Sequence, residues 1–176
     1  MLKQSRPLKE INEKSHKIIL SFGSNIGNSQ EIINCAINLM QDIGIISLIS
    51  RSSFFFTEPS GYNSLNWFYN ISVSASTTLS YNQFLFFIKS IEYQFGRKPE
   101  KLLSDRKLDI DILFYDDYVI SAKYITIPHP KLHERNFVLI PTNEIEPDFV
   151  HPIFNKTITE LLHSTHDILA VNKTAI

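Results

Sequence analysis

Apolar and polar positions change period several times along the chain, and each change marks an element. Lys17-Ile18-Ile19-Leu20-Ser21-Phe22 is a short apolar run, of strand rather than helix length. The turn-rich stretch Gly23-Ser24-Asn25-Ile26-Gly27-Asn28 ends it. Ile32, Ile33, Ala36, Leu39 and Met40 then recur at helical spacing, with Asn28 or Ser29 available as cap and Gly44 placed to stop the helix. Ile45 to Phe56 is rich in β-branched and aromatic residues and predicts one long strand. After the loop Glu58-Pro59-Ser60-Gly61-Tyr62-Asn63-Ser64, the segment from Phe68 to Ser76 alternates: Tyr69, Ile71, Val73 and Ala75 against Phe68, Asn70, Ser72 and Ser74. Ser80 can cap a second helix, Tyr81 to Phe95, whose buried face is Phe84, Leu85, Ile88 and Ile91.

The clearest strand is Leu108-Asp109-Ile110-Asp111-Ile112-Leu113-Phe114, with Leu108, Ile110, Ile112 and Phe114 predicted on one face and Asp109 and Asp111 on the other. Asp116-Asp117 predicts a hairpin-type turn into a return strand, Tyr118-Val119-Ile120. Tyr124 to Ile127 is extended, Leu132 to Ile145 contains a helical stretch, and a short helix falls near Thr157–Leu162. Residues after His163 are expected to be weakly ordered. The order β-α-β-β-α-β predicts an α+β fold of ferredoxin-like type, a mainly antiparallel central sheet with flanking helices. The expected division is a polar N-terminal extension 1–16, one domain 17–163 and a C-terminal tail 164–176.

Composition narrows the class. At 176 residues, 43% hydrophobic and 20% charged, the chain has the make-up of an ordinary globular domain. A net charge of −1 argues against a general binder of nucleic acid or anionic membrane. No apolar run approaches the roughly 18 residues of a membrane span, and no apolar core follows a basic start as in a secretion signal. The single cysteine excludes an internal disulfide; Cys35, beside Ala36 and Ile37, is expected to be a buried, inert thiol. A cytoplasmic location is expected.

The candidate chemistry gathers around the paired aspartates. Two residues apart on a strand, they stand roughly 7 Å apart on one face. Aspartate is depleted in strands, so the pair needs a reason. A solvated face that discourages edge pairing is one; a hard-cation site facing phosphate is the other. The neighbours favour metal and phosphate. Arg106 lies just upstream, after the cationic connection 97–106 that holds Arg97, Lys98, Lys101 and Arg106. That connection is either a solvated loop or a mobile lid over a triphosphate. Downstream, Pro128 and Pro130 fix His129 in a non-helical backbone, where it could meet phosphate or carry a proton. Glu92 opposes the dipole at the end of its helix; it is either solvated or paired with a cation such as Arg97. Trp67 and Phe68 are core or ligand platform, and Asn70, facing the same way as Phe68, is a candidate site wall.

Taken together, Arg106-Lys107-Leu108-Asp109-Ile110-Asp111-Ile112-Leu113 and Ile127-Pro128-His129-Pro130 followed by Glu134-Arg135-Asn136-Phe137-Val138-Leu139 resemble the 6-hydroxymethyl-7,8-dihydropterin pyrophosphokinases of folate biosynthesis. Gly23-Ser24-Asn25 and Thr57-Glu58-Pro59 fit as well, and the likeness runs from about Ile18 to Pro152. The resemblance implies transfer of pyrophosphate from ATP to the pterin hydroxymethyl oxygen with release of AMP. Asp109 and Asp111 would hold two magnesium ions. Arg97 and Arg106 would meet phosphates, and Glu92, Lys98, Ile112, His129 and Arg135 would serve the nucleotide. Phe68 and Phe137 would stack on the pterin, whose edge Asn70 and Thr57 would read. The partners implied are small molecules only, and a monomer is expected. The chain departs from the family in its lid. Many relatives carry Trp near position 103 and more arginines, whereas Leu102, Leu103, Lys98 and Lys101 stand here, in a loop about one residue shorter. Lysine lacks the bidentate fork, so closure is expected to be less tightly locked, at the expense of turnover more than of ATP binding. A metal-dependent phosphohydrolase and a non-catalytic module that binds a small ligand or partner, including a decayed pyrophosphokinase that still binds pterin or nucleotide, are the competing readings.

Overall fold

In the computed structural model, which describes residues 14–97 and 104–174, the central strand β1 (His16–Ser24) is apolar on one face and small or apolar on the other, so both faces can be covered. After it come α1 (Ser29–Asp42), β2 (Ser47–Arg51), β3 (Phe55–Thr57), β4 (Phe68–Thr77), α2 (Tyr81–Gln94) and β5 (Asp109–Tyr115). The chain then forms β6 (Ile120–Ala122), β7 (Ile125–Ile127), a short 3-10 turn at Leu132–Glu134, α3 (Asn136–Ile145), α4 (Ile158–Ser164) and β8 (Val171–Lys173). A six-stranded sheet runs β5-β1-β4-β3-β8, with β2 beside β3 on the same edge of the longer β4, and every pairing in it is antiparallel. This is the ferredoxin-like α+β arrangement expected from the strand and helix order.

The two faces of the sheet are different materials. Ile18, Leu20, Phe22, Ile71, Val73, Ala75 and Ile110 form the main core with α1 and α2. The opposite face carries a smaller apolar cluster, in which Ile19, Leu113 and Phe114 meet Val138 and Leu139 of α3 and Leu161 of α4. The rest of that face is mixed, with Phe55 and Phe68 standing among polar side chains. Ser72 hydrogen-bonds Thr142 of α3 at 2.8 Å, and Glu146 accepts from Ser74 at 2.5 Å and from Lys17 at 2.7 Å. Helix α3 thus sits on hydroxyls at one end and leaves the sheet open at the other.

Several sequence expectations are corrected. The strand expected over Ile45 to Phe56 is two, because at Ser52 the side-chain hydroxyl takes the Ser72 amide in place of a backbone carbonyl and interrupts the ladder. A bulge in β5 between the residues paired with Ile19 and Leu20 sends Leu113 and Phe114 together to the α3 face, so Phe114 does not share the face of Ile112. The chain after Asp116 does not return along β5: β6 pairs with β7 in a separate two-stranded sheet. The helical stretch over 132–145 begins as the 3-10 turn and becomes α-helical only at Asn136. Cys35 is exposed, on the side of α1 away from Ala36 and Ile37. The segment after His163 returns to the sheet, where Val171 pairs with Thr57 and Lys173 with Phe55.

His151 gives the smaller cluster a pH limit. It is 2% exposed, its ring packs on Phe114 and Phe154, and its Nδ1 accepts from the Ile153 and Phe154 amides at 3.2 and 3.3 Å. Burial, helped by His133, pulls its pKa from 6.5 down to about 4. The unfolded chain therefore binds this proton first as the pH falls, so stability is intact above 6.5 and is lost between 6.5 and 4. Asn in place of His151 can accept at the same position without titrating. Urea denaturation from pH 7 to pH 4 should show wild type losing on the order of 2–3 kcal/mol more than His151→Asn. Parallel curves would refute the assignment.

Candidate functional site

The open end of the α3 face is built by register. Pairing of β5 with β1 sets Asp109 opposite Gly23 and Asp111 opposite Ser21, and pairing of β1 with β4 sets Gly23 opposite Asn70 and Ser21 opposite Ser72. Side chains from these rows line a cavity of about 260 Å³ together with Thr57, Phe68 and Phe137. Gly23 has to be glycine here. A Cβ on it would stand 2.8 Å from Asn70 Oδ1, a distance real contacts do not reach.

One side of the cavity is charged. Arg97, reached just past α2, bridges Asp109 and Glu92, and Arg106 meets the other oxygen of Asp109 at 2.7 Å. Glu92 is 2% exposed; it also takes Lys89 at 2.8 Å and the Ile110 amide at 2.8 Å. It lies behind the cavity wall, and burial pushes its carboxyl up against the pull of Lys89 and Arg97. The two aspartates behave differently. Burial would raise Asp109, but Arg106 and Arg97 outweigh it and hold it below the ordinary carboxylate range. Asp111 is raised to about 6 by burial and by Asp109 beside it. Arg106 Nε is buried with no hydrogen-bond partner among the described residues, a donor available to an anion.

The other side is an aromatic slot with a polar floor. Phe68 enters from β4 and Phe137 from the first turn of α3. An arginine stands over each ring, Arg106 at 5.2 Å from Phe68 and Arg135 at 5.5 Å from Phe137. Asn70, 4% exposed, donates to Thr57 Oγ1 at 2.7 Å, and its amide oxygen stands over Gly23. His129 lies on the boundary with a shallower groove of about 490 Å³, which it shares with Asp111, Ile112 and Lys89. Its amide donates to the Leu113 carbonyl at 3.0 Å. Burial and then Arg135 lower its pKa to about 4, so near neutral pH it is an uncharged hydrogen-bonding group.

The predicted residues Arg97, Arg106, Asp109, Asp111, His129, Arg135, Thr57, Phe68, Asn70 and Phe137 thus meet at one cavity. Ile112 faces the adjoining groove, and Glu92 faces neither. Lys98, with Lys101, Leu102 and Leu103, lies outside the described residues. Sequence reasoning missed Tyr62, which lines the cavity, and Asp105, which holds it; the Asn- and Ser-rich loop before Trp67 was the available signal. Among the described residues no group of three His, Cys, Asp or Glu side chains could hold a metal. Two carboxylates on one rigid strand nevertheless fit magnesium, which fills its remaining positions with water and phosphate oxygens.

Paired carboxylates beside arginines are the groups that phosphoryl-transfer proteins use, and here they share one cavity with two aromatic rings on a ferredoxin-like scaffold. Comparison with known proteins narrows the class. The model of the 7,8-dihydro-6-hydroxymethylpterin-pyrophosphokinase (HPPK) family matches residues 19–147, and the chain belongs to that family. It is 36% identical over 143 residues to the 2-amino-4-hydroxy-6-hydroxymethyldihydropteridine pyrophosphokinase of Aquifex aeolicus, covering 81% of this chain and 88% of that one. It is 35% identical over 152 residues to the folic acid synthesis protein FOL1 of Dictyostelium discoideum, covering 85% of this chain but only 22% of the relative. The crystal structure of Plasmodium falciparum HPPK-DHPS shares the fold, with a TM-score of 0.73 at 19% identity over 88% of this chain and 46% of that one.

The Gly23 contact is directly testable. Alanine in place of a strand glycine ordinarily stabilises by roughly 0.5–1 kcal/mol. Here the clash with Asn70 should reverse the sign, and Gly23→Ala should cost about 1–3 kcal/mol in urea denaturation. A stabilised variant would contradict the packing described.

Proposed function

We propose that this chain is an ATP-dependent 2-amino-4-hydroxy-6-hydroxymethyldihydropteridine diphosphokinase. It passes the terminal two phosphates of ATP to the hydroxymethyl oxygen of 6-hydroxymethyl-7,8-dihydropterin and releases AMP, a step of folate biosynthesis. The observation that carries the proposal is the slot between Phe68 and Phe137, floored by the Asn70–Thr57 pair and opening on Asp109 and Asp111. A phosphohydrolase has no use for such a slot.

Each part has a task. The two rings sandwich the flat heterocycle, for which offset stacking is favourable. Asn70 and Thr57 read its amino-pyrimidinone edge; a heterocycle without that edge leaves a buried amide unpaired, and selectivity follows. Release of AMP means that the pterin oxygen bonds to the β-phosphorus while the bond from that phosphorus to the α–β bridging oxygen breaks. Such transfer depends mostly on positioning and charge. Arg97 and Arg106 already stand at the carboxylates and turn to the phosphates when these arrive, with Arg106 Nε as one donor. Glu92 keeps Arg97 on station, and neutral His129 offers phosphate a hydrogen bond without a charge. Ile112 and Arg135 serve the nucleotide side, as does Lys98 in the connection beyond Arg97. Asp109 and Asp111 would hold two magnesium ions, which when bound neutralise and orient the triphosphate. No helix among the described residues is long and apolar enough to cross a membrane, and we place the enzyme in the cytoplasm as a monomer.

The test is AMP formation from ATP and magnesium, with and without the pterin. AMP should appear only with pterin present, and chelation of divalent ions should stop it. Asp109→Ala should abolish it. Production of ADP and phosphate without pterin would overturn the proposal in favour of a phosphohydrolase. Pterin binding without AMP would favour the non-catalytic reading. Asn70→Ala should raise the pterin KM by about 10- to 100-fold and leave the ATP KM within about twofold; a uniform change in both would contradict the role given to Asn70.

A further inference from the structure

One carboxylate joins two loops that are far apart in the chain and meet beside the end of β1. Loop 58–66 connects β3 to β4, and residues 104–106 lead into β5. Asp105 Oδ1 accepts from Asn25 Nδ2 at 2.8 Å and from the Tyr62 hydroxyl at 3.0 Å, while Oδ2 accepts from Asn66 Nδ2 at 2.6 Å. Burial would raise this carboxyl, but the hydrogen bonds from Ser64, Asn66, Asn25 and Tyr62 hold it at about 2. Tyr62 is pushed the other way, to about 12, by burial and by Asp105, so it stays a hydroxyl donor. Bonds to a charged acceptor are the stronger kind.

The clasp acts on the slot. Tyr62 lines the cavity and sets its ring edge-on to Phe68 at 6.5 Å, on the loop side of the clasp. Arg106 lies over the same Phe68 at 5.2 Å, on the β5 side. Arg106 has an anchor that does not pass through Asp105: its carbonyl accepts from the Asn25 backbone amide at 3.0 Å, while its own amide donates to Oδ1 of the Asn25 side chain that Asp105 also holds, at 2.7 Å. Removing the Asp105 carboxylate therefore loosens the loop, which keeps one bond from Asn25 Nδ2 to the Asn66 carbonyl at 3.1 Å, while the backbone bond between Asn25 and Arg106 leaves the arginine in place.

We propose that Asp105 is a positioning residue for the heterocycle: it fastens loop 58–66 to the root of β5, so that Tyr62 and Phe68 form a ready-made wall of the slot. The proposal rests on the pterin reading of that slot and adds a residue that touches neither substrate. Its signature is selective. Loss of the clasp weakens the pterin and spares the nucleotide, because ordering the loop becomes a cost of pterin binding alone.

Calorimetry on the full chain tests this with two ligands, α,β-methylene-ATP with magnesium, and 6-hydroxymethylpterin added to the nucleotide-saturated protein. Asp105→Ala should weaken the pterin about tenfold or more and leave the nucleotide within about twofold. Asp105→Asn should stay within about threefold of wild type for the pterin, because its amide oxygen still accepts from Asn25 and Tyr62 while the Asn66 amide turns over. Should Asp105→Ala fail to fold, Tyr62→Phe and Asn66→Ala each remove one arm of the clasp and should show the same selectivity, less strongly. Pterin affinity unchanged in Asp105→Ala, or equal loss of both ligands, overturns the clasp alone. A wild-type chain that binds nucleotide but no pterin overturns the pterin reading and the clasp with it.

Discussion

Two like charges one strand-repeat apart, on a partly buried face, are the constraint from which the rest of this structure follows. Asp109 and Asp111 cannot both stay ionised there without cations, and the chain supplies them from two directions. Arg97 arrives at the end of α2 and Arg106 at the entry to β5. Both turn to Asp109, while burial and then the charge of Asp109 raise the pKa of Asp111 to about 6. Glu92, buried at 2% exposure, has a place in the same ledger: it holds Arg97 from behind and takes the Ile110 amide, so that helix α2, the arginine and the acidic strand form one unit. Asp109, its two arginines, Glu92 and Lys89 thus form one ion-pair network.

The sheet separates stability from chemistry. Its α1/α2 face carries the main apolar core. Its other face spends the α3 half on a second cluster and leaves hydroxyls, amides and carboxylates at the open half. Gly23 shows the price: the strand interior gives up a side chain so that Asn70 can lie across it. Cα-level register, rather than loop conformation, therefore fixes the distance between the aromatic slot and the acidic pair, which is what a transfer between two bound molecules needs.

Much of this was legible in the sequence, for reasons of period. In β4 and β5 the alternation predicted a strand with one distinct face, which put Phe68 with Asn70 and Asp109 with Asp111, and the family resemblance joined the two pairs. Arg97, His129, Arg135 and Phe137 lie in elements of different type, and only family resemblance brought them to the same place. What escaped depended on pairing across long separations. The bulge that turns Phe114 over is set by β1, and β8 exists because the edge of β3 offers Val171 a partner. Asp105 read as one more charge in a charged connection, since nothing local joins it to Tyr62 and Asn66. Cys35 erred by a single position on a helix, where one residue is enough to exchange core for solvent.

The most direct test of the account is a crystal structure of the chain with α,β-methylene-ATP, magnesium and 6-hydroxymethylpterin. The account predicts metal bound by oxygens of Asp109 and Asp111 at about 2.0–2.1 Å, the pterin ring between Phe68 and Phe137, and Arg97 moved from Asp109 to phosphate. Metal held elsewhere, or a pterin outside that slot with Arg97 still on Asp109, would contradict it.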